Sequence, residues 1–231
     1  MTSRTITHPD AGPVTFRADG RSHDIHVRVT DTPHASATIS TDTTYGPAHD
    51  AVRDAVLTAG LGMLAADVPE APKVDGGHTD TVCVIRIDAE LPFGSSVDLC
   101  ATSGGVIVRG PVQAAFAQVT SGDVEVDHAR TADLAATSGN LTLRQTGTAR
   151  LTTSSGHISV RNVDDLVATT YSGSISVSDA RGKAALRTSS GSIHANYSGL
   201  SEPSVRALDC WVSLHRIAPS AQPAIPDIPI P

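Results

Sequence analysis

The chain has 231 residues, 17 Lys and Arg against 24 Asp and Glu for a net charge of −7, 39% hydrophobic residues and only 3% aromatic ones. That is enough chain to bury a core, too apolar for wholesale disorder, and too acidic for a nucleic-acid binder that works through a basic face. No apolar run reaches the roughly 18 residues of a membrane span, and Met1 to Pro13 lacks a basic stretch followed by an apolar core, so the chain reads as cytoplasmic.

Residues 1–90 read as an N-terminal capping region. His23 to Thr30 alternates through Ile25, Val27 and Val29. Asp31-Thr32-Pro33-His34 is a turn signal, and Ala35 to Thr41 alternates again through Ala37 and Ile39. That pattern predicts a β-hairpin. Residues 47–59 predict a short helix, with Pro47 in its first turn and Val52, Ala55, Val56 and Ala59 on one side. Gly60 and Gly62 end it, and Leu61 to Val68 is compatible with a further strand. Lys73 to Thr79, with Gly76-Gly77, reads as a loop, and Thr81 to Leu91 as a strand.

The pair Ser-Gly then recurs at Ser103-Gly104, Ser121-Gly122, Ser138-Gly139, Ser155-Gly156, Ser172-Gly173 and Ser190-Gly191, at spacings of 18, 17, 17, 17 and 18. The second and fourth positions after each Gly are apolar: Val106/Val108, Val124/Val126, Leu141/Leu143, Ile158/Val160, Ile175/Val177 and Ile193/Ala195. The residue between them is mostly polar, which is the period-2 alternation of a half-buried strand. The arm before each pair alternates too, with Leu99, Ala117, Leu134, Leu151, Ala168 and Leu186 four residues before the Ser. Each unit is strand, tight Ser-Gly turn, strand and longer turn, the Gly supplying a bend that a side chain would obstruct. One such unit cannot bury an apolar face, but stacked units can. The prediction is an all-β fold, a parallel β-solenoid or β-helix of about six to seven coils spaced about 4.8 Å apart over residues 91–217.

Residues 203–217 fit a degraded seventh coil and read as a C-terminal cap: Val205, Ala207, Val212 and Leu214 match the template, and Asp209-Cys210 replaces Ser-Gly. Residues 218–231, with Pro219, Pro223, Pro226, Pro229 and Pro231, suit an extended, flexible tail.

The run Glu90-Leu91-Pro92-Phe93-Gly94-Ser95-Ser96-Val97, followed by Ala101-Thr102-Ser103-Gly104-Gly105-Val106, resembles the signature of a bacterial β-strand-repeat family of unknown function, described as putative adhesins. The resemblance covers roughly residues 80–216. It implies the stacked-strand fold and an adhesive role, and brings no catalytic residues with it.

Few residues invite chemistry. The Ser-Gly serines recur in every coil, lie in no Gly-x-Ser-x-Gly motif, and read as architectural. The hydroxyls before them, Thr102, Thr120, Thr137, Ser154 and Ser189, should form ladders that satisfy turn amides. Asp123, Glu125 and Asp127 share an outward face and could bind calcium or act on sugars. Arg109 and Arg144 fall one coil either side, so charge pairing between strands explains the pattern without a ligand. The histidines, among them His23, His26, His128, His157 and His194, show no metal-ligand spacing. Cys83 and Cys100 are 17 apart, one repeat, so a coil-zero strand over Thr81–Leu91 would make them neighbours; free thiols are the simpler reading. The irregular column before the turns argues against an ice-binding array, and interspersed arginines argue against DNA mimicry.

The function that follows is a non-catalytic interaction or scaffold protein without cofactor or metal. Its partner would be a protein or glycan, with self-association through the solenoid ends as a further mode. The alternative is a polysaccharide-acting enzyme on a β-helix groove, which would need aromatic platforms that this chain scarcely has.

Overall fold

A computed structural model describes residues 1–20, 23–69, 85–199, 203–207 and 210–217. The N-terminal elements are β1 (Thr2–Ala11), β2 (Thr15–Gly20), β3 (His23–Thr30), β4 (His34–Thr41), α1 (Pro47–Asp54), β5 (Val56–Gly60), β6 (Met63–Val68) and β7 (Ile85–Pro92). The repeats form β8 (Ser96–Ser103), β9 (Val106–Ser121), β10 (Val124–Ser138), β11 (Leu141–Ser155), β12 (Ile158–Ser172), β13 (Ile175–Ala180) and β14 (Ala184–Tyr197). The last described coil is β15 (Ser204–Ala207) and β16 (Cys210–Arg216). These sixteen strands join one sheet wound into a parallel β-solenoid of about six repeat turns.

Stacking is in register at one repeat. Val106, Val124, Leu141, Ile158, Ile175 and Ile193 lie one above another, as do Val108, Val126, Leu143, Val160, Val177 and Ala195. All are buried, as are Leu134, Leu151 and Leu186 on the opposite arm. In β10 the alternation slips after Val126 and again after Ala129. The coil bends at those two places, which makes a short third side of Val112, Ala129, Thr146, Val163 and Ala180.

The Ser-Gly corner is the tightest point. Gly122, Gly139, Gly156, Gly173 and Gly191 have φ between 137° and 154°. A Cβ on any of them would fall inside the carbonyl oxygen of the glycine one coil before. The approach is needed because the turns bond directly, Gly122 N donating to Ser138 O at 3.0 Å and Gly139 N to Ser155 O at 3.0 Å. Inward threonines reinforce the corner: Thr153, Thr170 and Thr188 are buried and donate to the carbonyls of Gly139, Gly156 and Gly173.

The N-terminal third departs from the sequence reading. β3 and β4 do not form a hairpin; β7 lies between them, parallel to β3 and antiparallel to β4. The coil beneath the first Ser-Gly repeat is β2 and β3, which pair with β8 and β9. β6 and β7 form the next coil out. Residues 85–91 therefore do not abut β8, because an earlier stretch of chain is threaded between. Both strand positions beside Cys100 are filled, by Asp19 and Gln118; Cys83, the 73–79 loop and the 218–231 tail lie outside the described residues. The turn Pro92-Phe93-Gly94-Ser95 carries the chain past the threaded coil, and buried Ser95 locks it, its Oγ accepting from Val14 N at 3.1 Å. The helix ends at Asp54, shorter than expected, because Val56–Gly60 pairs with β6 instead. Its buried Ala48, Ala51 and Val52 join the core at the N-terminal end.

Two substitutions test this packing. Leu141→Ala removes a fully buried side chain and should cost about 2–5 kcal/mol. Gly139→Ala adds a single methyl, yet should lower the thermal midpoint comparably, because φ is 146° and the added atom meets backbone. Calorimetry checks both; a Gly139→Ala midpoint equal to the parent's would refute the close stacking of corners.

Candidate binding faces

Residues one and three after the first member of each inward pair point outward and build the face after the turn. Its main charged group is a four-residue network across three coils. Arg109 clasps Glu125 with two bonds of 2.7 and 2.9 Å and reaches Asp127 at 2.9 Å. Arg144 closes from the other side, at 3.5 Å from Glu125 and 3.3 Å from Asp127. The hydrogen bond to Glu125 raises the Arg109 pKa above its ordinary value, with Asp127 adding to it. The expected pairing of stacked opposite charges is what stands here.

A second feature escaped the sequence reading. Asp24 and the residues after Gly122, Gly139 and Gly156 form side-chain caps along the stack. Asp24 Oδ1 accepts from Gly105 N, Asp123 Oδ1 from Asn140 N, Asn140 Oδ1 from His157 N, and His157 Nδ1 from Ser174 N, at 2.8–3.2 Å. The signal was present: after Gly122, Gly139, Gly156, Gly173 and Gly191 stand Asp123, Asn140, His157, Ser174 and Ser192, all polar. The outward hydroxyls Thr102, Thr120, Thr137 and Ser154 were expected to satisfy turn amides, but they are exposed and make no side-chain hydrogen bond among the described residues. The turn serines Ser103, Ser121, Ser138, Ser155, Ser172 and Ser190 stack along one exposed edge.

The face before the turn is built differently. One column runs Arg17, Asp98, Phe116, Asp133, Arg150 and Val167, and the next runs Asp19, Cys100, Gln118, Ala135, Thr152 and Thr169. A shallow depression lies between them. Partial desolvation pushes the Cys100 thiol up from its ordinary value; Asp19 and Asp98 push it further, against Arg17. Elsewhere His26 lies 3.7 Å from Asp88, and the His194 and His215 rings are 5.6 Å apart. Among the described residues no three His, Cys, Asp or Glu side chains converge on a metal position, and no helix is long and apolar enough to cross a membrane.

A family model described as Toastrack DUF4097 matches residues 94–208. No curated protein matches the sequence. A solved structure described as a putative adhesin from Bacteroides fragilis shares the fold, with 13% identity, a TM-score of 0.58, and coverage of 94% of this chain and 97% of that one. A putative adhesin from Parabacteroides distasonis is similar at 13% identity and a TM-score of 0.49, over 94% of this chain and 96% of that one. A putative lipid binding protein from the same organism follows at 14% and 0.41, over 93% and 96%. The chain is thus a β-solenoid resembling adhesin-like repeat proteins, and its described residues hold no catalytic cluster. The cytoplasmic placement expected from the sequence is contradicted, because the similar solved structure is described as a putative adhesin.

The Cys100 environment gives a signed prediction. A raised thiol pKa leaves less thiolate at pH 8, so iodoacetamide should alkylate Cys100 more slowly than free cysteine. Asp98→Asn removes one cause of the rise and should speed the reaction at that pH. Peptide mass spectrometry reads the Cys100 site alone; a rate equal to free cysteine's, unchanged by Asp98→Asn, would refute this electrostatic picture.

Proposed function

We propose that this chain, whose residues 94–208 match the family model described as Toastrack DUF4097, is a non-catalytic adhesive module that holds a protein or glycan on the outward faces of its solenoid at a cell surface. The flatness of those faces carries the reading. Coils repeat in register, so outward side chains form long rows and do not converge on one bond. Glu125 and Asp127, the pair best placed for acid–base work, spend their oxygens on Arg109 and Arg144. Rows of modest contacts suit recognition by many weak interactions whose avidity adds along a repeated partner. The test is interferometry of the immobilised full chain against glycoproteins before and after deglycosylation, with reducing-end assays on polysaccharides. Saturable binding without turnover is expected; new reducing ends would overturn the reading.

A second mode, self-association through the solenoid end, is favoured by Trp211, which is 74% exposed on the last described strand beside exposed Val212. A parallel edge strand offers unpaired amides and carbonyls to another chain. Light scattering should show mass rising with concentration, and Trp211→Ser should suppress the rise. A constant single-chain mass would refute this mode.

A further inference from the structure

The face before the turn carries an arrangement that packing does not explain. Phe116 stands half exposed between Asp98 on the coil below and Asp133 on the coil above. Arg17 lies one coil beyond Asp98, and Arg150 one coil beyond Asp133. Along the sheet the column reads positive, negative, aromatic, negative, positive. A lone exposed phenyl ring is ordinary. This one is set apart by its neighbours. Glu125 and Asp127, on the other face, are neutralised by arginine. Asp98 and Asp133 accept no hydrogen bond and join no ion pair among the described residues, although opposite charges sit one rung away from each. Their oxygens are left free on either side of the ring.

We propose that Phe116, Asp98 and Asp133 form a binding subsite for an uncharged hexose unit of a glycan. The inference rests on the adhesive reading above and names the partner chemistry and the place. The ring face offers a platform for the C–H face of a sugar, as aromatic side chains do for flat apolar groups. Two rungs separate the carboxylates, about 9.6 Å at sheet spacing. Both carboxylates can therefore accept hydrogen bonds of about 2.7 Å from hydroxyls of one sugar ring lying over the phenyl face. Gln118, two residues along the strand, adds a donor and an acceptor beside the ring. Ala114 and Ala135 are small, so they leave the phenyl ring standing above the floor of the depression. The four charges of the column sum to zero, which favours a neutral guest over a cation. An alkylammonium guest on the same ring is the rival, since a carboxylate pair and an aromatic face also suit a cation.

The chain has three phenylalanines, of which Phe16 is fully buried and Phe93 and Phe116 are partly exposed. Fluorine NMR of the full chain labelled with 4-fluorophenylalanine therefore gives three signals, and Phe116→Leu identifies one of them. Neutral tetrasaccharides of glucose, mannose and galactose are titrated in, and separately spermidine. The expected result is a saturable shift of the Phe116 signal with at least one tetrasaccharide, weakened about tenfold by Asp133→Asn, with spermidine giving none. Phe116→Leu should keep the parent thermal midpoint, because the ring is half exposed and leucine retains an apolar side chain there. No shift with any sugar, or a shift with spermidine alone, overturns the subsite. The two proposals fail separately. If Phe116→Leu still binds glycoprotein in interferometry with parent affinity, the adhesive role stands and this subsite falls; if the parent binds no glycoprotein, the adhesive role falls.

Discussion

Corner-to-corner stacking of backbone is the constraint on which the rest of the structure depends. At the Ser-Gly turn each coil donates its glycine amide to the serine carbonyl of the next, and no Cβ fits between them. That contact sets the spacing and forbids slippage. A one-residue shift would put a Cβ against backbone and turn every inward side chain outward. Once the corners are locked, all other positions fall into columns. Leucine and valine fill the interior, inward threonines bind the turn carbonyls, and Asp123, Asn140 and His157, each following a turn glycine, cap an amide of the coil above.

The N-terminal end solves a problem that the repeat creates. A solenoid with bare ends exposes a strand edge and an apolar cross-section. Here the first repeat coil rests on β2 and β3, which come from 81 residues earlier where Val14 meets Ser95. The outer coil of β6 and β7 is closed by antiparallel β4 and β5, and α1 joins the core there. A cap threaded in this way cannot peel off from the chain terminus alone. It requires long-range pairing before the first repeat is fully covered, a topology that slows folding.

The repeat was legible because its causes are local. A glycine forced by a steric clash, flanked by alternating apolar residues, leaves a trace at every coil. Thr153, Thr170 and Thr188 are polar residues in the column that begins Ala101, Val119 and Ala136, yet each is buried because a turn carbonyl needs a donor. The N-terminal order was not legible. His23–Thr30 and His34–Thr41 alternate like hairpin partners, and the turn between them is a good one. What separates them is a better offer from distant β7, and no short-range pattern records that competition. The helix was overrun for a similar reason, since Val56–Gly60 gains more by pairing with β6 than by another turn of helix.

The two long faces divide the chemistry between them. On one, the charges are arranged by strand neighbours into a closed network, with two arginines shared by two carboxylates across three coils. Such a network is partly solvated and adds little stability, about 1 kcal/mol or less per pair. Its main effect is to leave that face with few free partners for a ligand. On the other face the same one-repeat spacing sets an aromatic residue between two acids, and although Arg17 and Arg150 stand one rung beyond them, neither acid joins an ion pair among the described residues. A repeat architecture makes this kind of asymmetry easy to write. The inward positions must obey the template, whereas each outward position is free to change without disturbing the stack. A single phenylalanine in one coil is enough to give a uniform surface a distinct place.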